Sequence, residues 1–398
     1  MKILIFGTSA MVMSYSFIAP LRVARACARH GDEIMMIGWL DNRISPNVLK
    51  EGRTEEKWGI SYTLKLEEMI PELNKQIEEF KPDVVYSMGT GSIWKLYQIC
   101  KKYGIPLGLH IGDPYYATYP TPDLLDIYGL MDFISFNEGQ AWNYVRTIRP
   151  AIANKCHLLL HAIDPELSPT LKEVQKANKK YICACVGGDD RIRRRELILY
   201  YYQWTNNFPN SKFAIGGSLA NKKYTYEQLD PKVKDGKFWN HTALTVEEAT
   251  KFTDKEFNLT FIDNDLTYPL GLSHPAVHKL YSESFYSFTP YGRYIVDGRV
   301  SKYNTMTYGT KIFEQMGSGS AIIANDIADL DMIIKDGETG FILKTPEDAY
   351  KAFKLAIEEP DKVRQMGIQA YHFAHKFHSW DNRYLEILCP IFKKLGIK

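Results

Sequence analysis

No run of about eighteen apolar residues occurs in the 398-residue chain, so no membrane-spanning helix is expected. The start, MKILIFG, has one lysine and passes at once into a strand-like run. It lacks the charged, apolar and small-residue succession of a secretory signal, and a cytoplasmic protein is expected. The six cysteines, Cys27, Cys100, Cys156, Cys183, Cys185 and Cys389, make no CxxC pair, which argues against a zinc site or a disulfide framework and for reduced, buried thiols. Charge of one sign is scarce too. With 49 Lys and Arg against 47 Asp and Glu, the net +2 neither requires nucleic acid nor excludes it. The signatures GxxxxGK[ST], GxGxxG, GxSxG and HExxH are all absent. A P-loop, a nucleophile elbow and a zinc-protease helix are therefore not expected, and a dinucleotide site is weakly supported.

What the chain has is alternation. ILIFG (3–7), EIMMIGW (33–39), KPDVVYSMG (81–89), IPLGLHIGD (105–113) and DFISFN (132–137) read as strands. Residues 17–30, 66–80 and 93–103 place apolar side chains at helical spacing between them. Strands apolar throughout and separated by helices imply a parallel sheet covered on both faces. CHLLLHAIDPELSPT (156–170) closes this half, and the charged stretch 171–180 reads as a linker. The pattern then restarts. KYICACVGG (180–188), KFAIGGS (212–218), FYSFTP (285–290), AIIAND (321–326) and TGFIL (339–343) read as strands, and 193–207, 273–282 and 311–317 as helices. Residues 221–265 are polar and read as an insertion, and two helices end the chain. The expected fold class is α/β, with two facing Rossmann-like domains and an inter-domain cleft. The expected bounds are 1–168 for the first domain, 169–179 for the linker and 180–380 for the second domain. A C-terminal helix at 381–398 is expected to pack back towards the first domain.

In open parallel sheets, ligands bind beyond the carboxyl ends of the strands. GGDDRIRRRE (187–196) follows a strand and opens a helix there, so Gly188, Arg191 and Arg194 are candidates for an anion site. The plainer alternative is a solvated basic helix face. Glu314 follows Lys311 by three, which puts both on one face near a helix start. A carboxylate there can accept two hydrogen bonds from a vicinal diol such as ribose, while the lysine and the helix N-terminus meet a phosphate. A surface ion pair is the bland alternative. His110 closes an apolar strand just before Gly112 and Asp113, placing an imidazole and a carboxylate where ligand chemistry is expected. His372, His375 and His378 share helical spacing, but capping or surface placement is the better reading.

These residues carry a resemblance. DGETGFILKTPEDAYKAFKLAIEEPDKVRQMG (336–367) closely resembles the C-terminal segment of nucleotide-sugar glycosyltransferases of the two-Rossmann-domain (GT-B) type, group 1 or family 4-like. KIFEQMGSGSAIIAND (311–326) resembles their E-A-x-A-x-G-x-P-V-I-A segment, and LSHPAVHKLYSESFYSFTP (272–290) the helix and strand before it. GIPLGLHIGD (104–113) and HAIDPELSP (161–169) resemble the family's P-x-x-x-x-x-H strand and its N-G-I-D exit to the linker. HSWDNRYLEIL (378–388) resembles the ending of a subgroup that also carries an Arg-rich loop.

The resemblance implies roles for particular residues. Glu314 matches the acid that binds the donor's ribose, and Lys311 the basic residue just before it. Gly188, Arg191 and Arg194 match the loop that holds the donor diphosphate. His110 matches the histidine near the transferred sugar and the acceptor, with Asp113 beside it as a second catalytic candidate. It also implies a retaining, front-side transfer with no protein nucleophile, metal or resident cofactor, the nucleotide sugar (UDP-linked by expectation) being a co-substrate. Two departures stand out. The family's second acid, eight residues before the first, is Met306 here, and the first loop, GTSAMVMSYS (7–16), has one glycine where relatives often have two. Ser14 and Tyr15 in that loop, and Arg293 and Arg299 in the stretch 291–308, are candidates for the missing donor or acceptor contacts.

The expected function is a retaining hexosyl- or pentosyltransferase that moves a sugar from a nucleotide diphosphate sugar to an acceptor hydroxyl, with a saccharide or glycan favoured. One alternative acceptor is 5-hydroxymethylcytosine in DNA, suggested by Lys222, Lys223, Lys232, Lys234 and Lys237 around Tyr224, Tyr226 and Trp239. A nucleotide-sugar epimerase and a binding module with a dead site are alternatives of other classes.

Overall fold

A computed structural model describes residues 1–6, 19–39, 59–63, 66–89, 93–112, 122–186, 204–205, 207–216, 259–262, 274–288, 295–296, 299–300, 310–326 and 330–397. The chain divides into two compact units. The first comprises Met1–Asp164, Thr305–Thr310 and Phe377–Lys398, and the second Pro165–Asn304 and Lys311–Lys376.

The first unit holds seven strands: β1 (Lys2–Phe6), β2 (Glu33–Trp39), β3 (Gly59–Thr63), β4 (Val84–Ser87), β5 (Leu107–Ile111), β6 (Phe133–Phe136) and β7 (Cys156–Leu158). They form one sheet in the order β3-β2-β1-β4-β5-β6-β7. Every pairing in it is parallel. The helices α1 (Ala19–Arg29), α2 (Leu66–Phe80), α3 (Ile93–Tyr103), α4 (Pro122–Leu130) and α5 (Gly139–Ile148) belong to the same unit. Successive side chains on a strand point to opposite faces, so the alternation in sequence decides which layer each joins. Leu4, Phe6, Val85, Leu109 and Ile134 cluster with Leu73 and Ile77 of α2 and Leu96 of α3. Ile3, Ile5, Val84, Tyr86 and Phe133 cluster instead with Val23, Ala24 and Cys27 of α1 and with Trp380, Tyr384 and Phe392 near the C-terminus. The sheet is thus covered on both faces.

The second unit repeats the plan. Its strands are β8 (Tyr181–Val186), β9 (Phe213–Gly216), β10 (Leu259–Ile262), β11 (Ser284–Phe288), β12 (Ile295–Val296), β13 (Arg299–Val300), β14 (Ala321–Asn325) and β15 (Gly340–Leu343). Six of them pair in the order β10-β9-β8-β11-β14-β15, and β12 and β13 pair separately. Counted along its own half, the larger sheet runs third, second, first, fourth, fifth, sixth, as the first sheet does. That is the Rossmann order, with its switch point between the first and fourth strands. Its helices are α6 (Leu171–Lys176), α7 (His274–Ser282), α8 (Thr310–Gly317), α9 (Pro346–Glu358) and α10 (Pro360–Phe377). Trp204 anchors the core, its ring centroid 4.9 Å from Phe353 and 5.0 Å from Phe288.

Some elements differ from the sequence reading. The stretch read as a linker contains α6, whose N-cap Thr170 accepts from the Glu173 amide while Glu173 accepts from the Thr170 amide at 2.7 Å. This reciprocal cap gives a short charged helix the hydrogen bonds it would otherwise lack. β3, α4 and α5 are not among the elements expected from sequence. The chain ends in more than two helices, because α10 is followed by α11 (Trp380–Arg383), a π-helical turn (Tyr384–Leu388) and α12 (Cys389–Lys394). Residues 377–398 group with the first unit. Trp380 donates its amide to Ile163 O at 2.9 Å, and Ile163 donates to His378 O at 2.8 Å. His378 is accordingly buried, not on the surface, and sits 2.7 Å from an Arg383 guanidinium nitrogen. Residues 193–203 of the expected helix and most of 221–265 lie outside the described residues. Among the described residues, no helix is long and apolar enough to cross a membrane.

Candidate functional site

In the second unit the site is built on α8. Ile312, Phe313 and Met316 of this helix are buried. Glu314 leaves the same helix but is only 1% exposed, so its carboxylate is turned inward. A carboxylate is costly to bury without compensating polar groups, which makes its surroundings informative. Tyr281 of α7 feels both Glu314 and Cys185, and takes hydrogen bonds from the Val186 backbone and from Gln315 Nε2, the latter at 3.5 Å. Burial, with those two neighbours adding to it, holds the Tyr281 phenol well above its ordinary value. Burial also pushes the Cys185 thiol up to about 12, against the charge of Lys311. Lys311 and Glu314 therefore act on the carboxyl end of β8. The far end of α8 is held by Ser318, whose hydroxyl donates to Glu314 O at 2.7 Å. His278 Nδ1 lies 2.7 Å from Ser318 Oγ, and that hydroxyl's proton is already used, so the imidazole is the donor.

In the first unit His110 is the next-to-last residue of β5, 2% exposed, beside Ser135 in the register of β6. Its Nδ1 lies 2.9 Å from Ser135 Oγ, which is 2.6 Å from the Tyr86 hydroxyl. Gly108 makes room for this arrangement. A Cβ there would stand 2.0 Å from Phe133 Cζ, so a side chain would displace the ring that packs on Tyr86. Asn137 Nδ2 donates to Gly112 O at 2.8 Å and to His161 Nε2 at 3.0 Å. The His110 and His161 rings meet edge to face, 6.0 Å apart. Burial pushes His110 down to about 4. Burial, then the neighbouring His110, Arg22 and Arg383, pushes His161 to about 3. Both rings are neutral at physiological pH and serve as polar groups, not cations.

Of the sequence candidates, His110, Lys311 and Glu314 are thus placed at the carboxyl-end side of their sheets. Asp113, Gly188, Arg191, Arg194, Ser14, Tyr15 and Arg293 lie outside the described residues, and Arg299 is placed by its backbone alone, on β13. Tyr281, Gln315, Tyr86, Ser135, Asn137 and His161 were not singled out from sequence. The one available signal was the polar Ser135 inside the apolar run DFISFN, followed by Asn137. Of the C-terminal histidines, His375 packs against Tyr371, the ring centroids 4.0 Å apart and the planes tilted by 32°. Among the described residues, no three His, Cys, Asp or Glu side chains gather to hold a metal ion.

Comparison with known proteins agrees with this architecture. Residues 267–389, which include α7, α8 and Glu314, match the family described as glycosyl transferase-like. No curated protein sequence matches the chain. Among solved structures, the complex of Anabaena HepE with UDP matches at 13% identity and a TM-score of 0.65, covering 99% of this chain and 100% of that one. Sucrose-phosphate synthase from Thermosynechococcus elongatus matches at 13% identity and a TM-score of 0.68, covering 99% of each chain. UDP-GlcNAc 2-epimerase from Neisseria meningitidis, bound to UDP-GlcNAc, matches at 14% identity and a TM-score of 0.56, covering 99% and 100%. The chain thus has the fold of two Rossmann-like domains of the GT-B type, with a glycosyl transferase-like segment in its second half.

Proposed function

We propose that this protein is a glycosyltransferase that moves a sugar from a nucleotide diphosphate sugar, UDP-linked, to the hydroxyl of a saccharide or glycan acceptor, with retention of configuration. The observation that carries the reading is Glu314. It is a buried acid on the first turns of a helix, beside the carboxyl end of the first strand of a Rossmann-like sheet, inside the segment matched by the glycosyl transferase-like family. A carboxylate so held can take both hydroxyls of a ribose. Lys311 and the basic loop with Gly188, Arg191 and Arg194 then serve the diphosphate, whose negative charge grows as the glycosidic bond breaks. His110 and Asp113 serve the transferred sugar and the acceptor. Ser14, Tyr15, Arg293 and Arg299 supply loop contacts in place of the acid missing at Met306. That HepE is solved with UDP supports a uridine donor.

An epimerase is the second reading, favoured by the whole-chain likeness to a structure of UDP-GlcNAc 2-epimerase. The DNA acceptor rests on lysines and aromatics of the 221–265 stretch, which lie outside the described residues. One assay separates all three. The protein is incubated with a panel of nucleotide sugars, alone, with saccharide acceptors and with hydroxymethylcytosine DNA, and nucleoside diphosphate release is followed. Release that depends on a saccharide is the expected result. A sugar altered with no acceptor present would identify the epimerase, DNA-dependent release the base-modifying enzyme, and silence with every donor would end the enzymatic reading.

A further inference from the structure

The hydrogen bonds around His110 leave little freedom about where its proton sits. Tyr86 is fully buried, and among the described residues its hydroxyl has one hydrogen-bond partner, Ser135 Oγ at 2.6 Å. If Ser135 donated to Tyr86, the phenolic hydrogen would be stranded in a dry core. The arrangement that strands neither hydroxyl proton, and leaves the fewest buried polar groups unpaired, has Tyr86 donating to Ser135 and Ser135 donating to His110 Nδ1, 2.9 Å away. Nδ1 is then an acceptor, and the neutral ring carries its proton on Nε2. That Nε2 is buried and has no hydrogen-bond partner among the described residues.

His161 is fixed by the same kind of reasoning. Gly112 O can only accept, so the Asn137 group that meets it at 2.8 Å is the amide nitrogen. The same nitrogen lies 3.0 Å from His161 Nε2, which must therefore accept. The His161 proton is on Nδ1, and this atom too is buried with no partner among the described residues. Two buried imidazoles 6.0 Å apart thus each hold an N–H with no acceptor among the described residues.

We infer that Tyr86, Ser135 and Asn137 are positioning residues that lock His110 in its Nε2–H form and His161 in its Nδ1–H form, so that the first unit presents two imidazole N–H donors to an uncharged hydroxyl of the transferred sugar. This rests on the glycosyl-transfer reading for the identity of the ligand, but not for the tautomers. Both rings are neutral, so they donate without adding charge, which suits a hydroxyl oxygen better than a phosphate. The groups facing them are Tyr86 from β4, Ser135 from β6 and Asn137 just after it, with the Arg22 and Arg383 charges acting on His161. Gly112 keeps the approach clear. A Cβ there would sit 3.8 Å from His110 Nε2 and 3.7 Å from Cδ2, an ordinary contact that folds but occupies space beside the donor.

The test uses the full chain labelled with 15N-histidine, in which the two tautomers give distinct long-range 1H–15N patterns, with H110N and H161N supplying the assignments. The expected spectrum at neutral pH shows His110 protonated on Nε2 and His161 on Nδ1. Tyr86→Phe removes one oxygen and keeps the ring, and it should mix the His110 tautomers while leaving His161 unchanged. Ser135→Ala should do so more fully, and Ser135→Thr should restore the pattern. A His110 found protonated on Nδ1, or a spectrum indifferent to both Tyr86→Phe and Ser135→Ala, overturns the inference. In the transfer assay, Tyr86→Phe and Gly112→Ala should each weaken nucleotide-sugar use by roughly tenfold, the scale of one net hydrogen bond, with affinity for free UDP unchanged. An equal loss for free UDP would refute the sugar contact. Tautomers as inferred in a protein that turns over no nucleotide sugar would overturn the transfer reading while leaving the hydrogen-bond assignment standing.

Discussion

Lys179 and Gly319, 140 residues apart in sequence, are joined by a hydrogen bond of 3.0 Å from Nζ to the glycine carbonyl. The same ammonium donates to Ser284 O at 2.7 Å, so Lys179, two residues before β8, ties β11 to the turn that leaves α8. Val174 of α6 lies on that turn as well. Gly319 has a φ of +69°, and a Cβ built on it would stand 2.0 Å from Val174 Cγ1. The helix that carries Glu314 is thus held at its far end by the segment that opens the second unit.

Gly319→Ala should therefore destabilise the protein by about 2–4 kcal/mol, combining a left-handed backbone with an overpacked contact. Urea unfolding gives the value. Adding Val174→Ala removes the atom that clashes and should recover part of the loss, leaving the backbone component. An identical penalty in both backgrounds would show that Val174 is not the obstacle.

Acid should weaken the first unit through its buried imidazoles. Above the ordinary value of 6.5, neither the folded nor the unfolded chain protonates His110. Between 6.5 and about 4 the unfolded chain takes up a proton that the folded protein refuses, so stability falls as pH falls. The loss for this one residue is about 3 kcal/mol and is complete near its folded value. His161 adds a similar decline that continues to about 3. His110→Asn should flatten the dependence across this window, whatever it does to stability at neutral pH. Denaturant midpoints measured along a pH series for both proteins give the two slopes, and parallel curves would contradict the assignment.

Asp164 is buried between Arg25, at 2.8 Å, and Arg29, at 3.0 Å, both on α1. Arg29 also holds Asp381 of the C-terminal segment, with both of the carboxylate's oxygens at 2.9 Å. Removing one partner of a buried network leaves the others uncompensated, so Asp164→Ala should cost about 3–5 kcal/mol. Because Arg29 links α1 to Asp381, proteolysis of the variant should open residues 377–398 before the rest of the unit. A variant with unaltered unfolding and digestion would show the network to be dispensable.

The sheet strands were legible because their signal is local. A run such as AIIAN or YICACV, apolar throughout and punctuated by glycine, can be little other than a buried strand, and both are strands here. The helical placement of Lys311 and Glu314 was legible for the same reason, since three-residue spacing on a helix needs no tertiary knowledge. The rest was carried by contacts distant in sequence. Ser135 looks like a minor blemish in an apolar strand until β4 and β5 bring Tyr86 and His110 to it, 49 and 25 residues away. His378 looked like a surface residue because the Arg383 and Ile163 contacts that bury it are tertiary. The α6 cap was the reverse case. Thr170 and Glu173 form a local signal that was present in the sequence and outweighed by the charged composition around it.

The role proposed for Glu314 makes a demand on the nucleotide itself. If its carboxylate receives the two ribose hydroxyls, deleting one hydroxyl from the ligand and altering the acid in the protein must not act independently. Calorimetric titration with UDP and with 2′-deoxy-UDP, on the native protein and on Glu314→Gln, closes that cycle. The amide keeps the shape of the buried side chain but offers one accepting oxygen and no charge, so the fold should survive. The native protein should bind the deoxy ligand more weakly by about 1.5–3 kcal/mol, the range for a hydrogen bond to a charged group, and the variant should discriminate far less. Additive effects would mean that the ribose is read elsewhere, and Glu314 would then be left as a buried acid whose neighbours, Tyr281 and the end of β8, it serves only structurally.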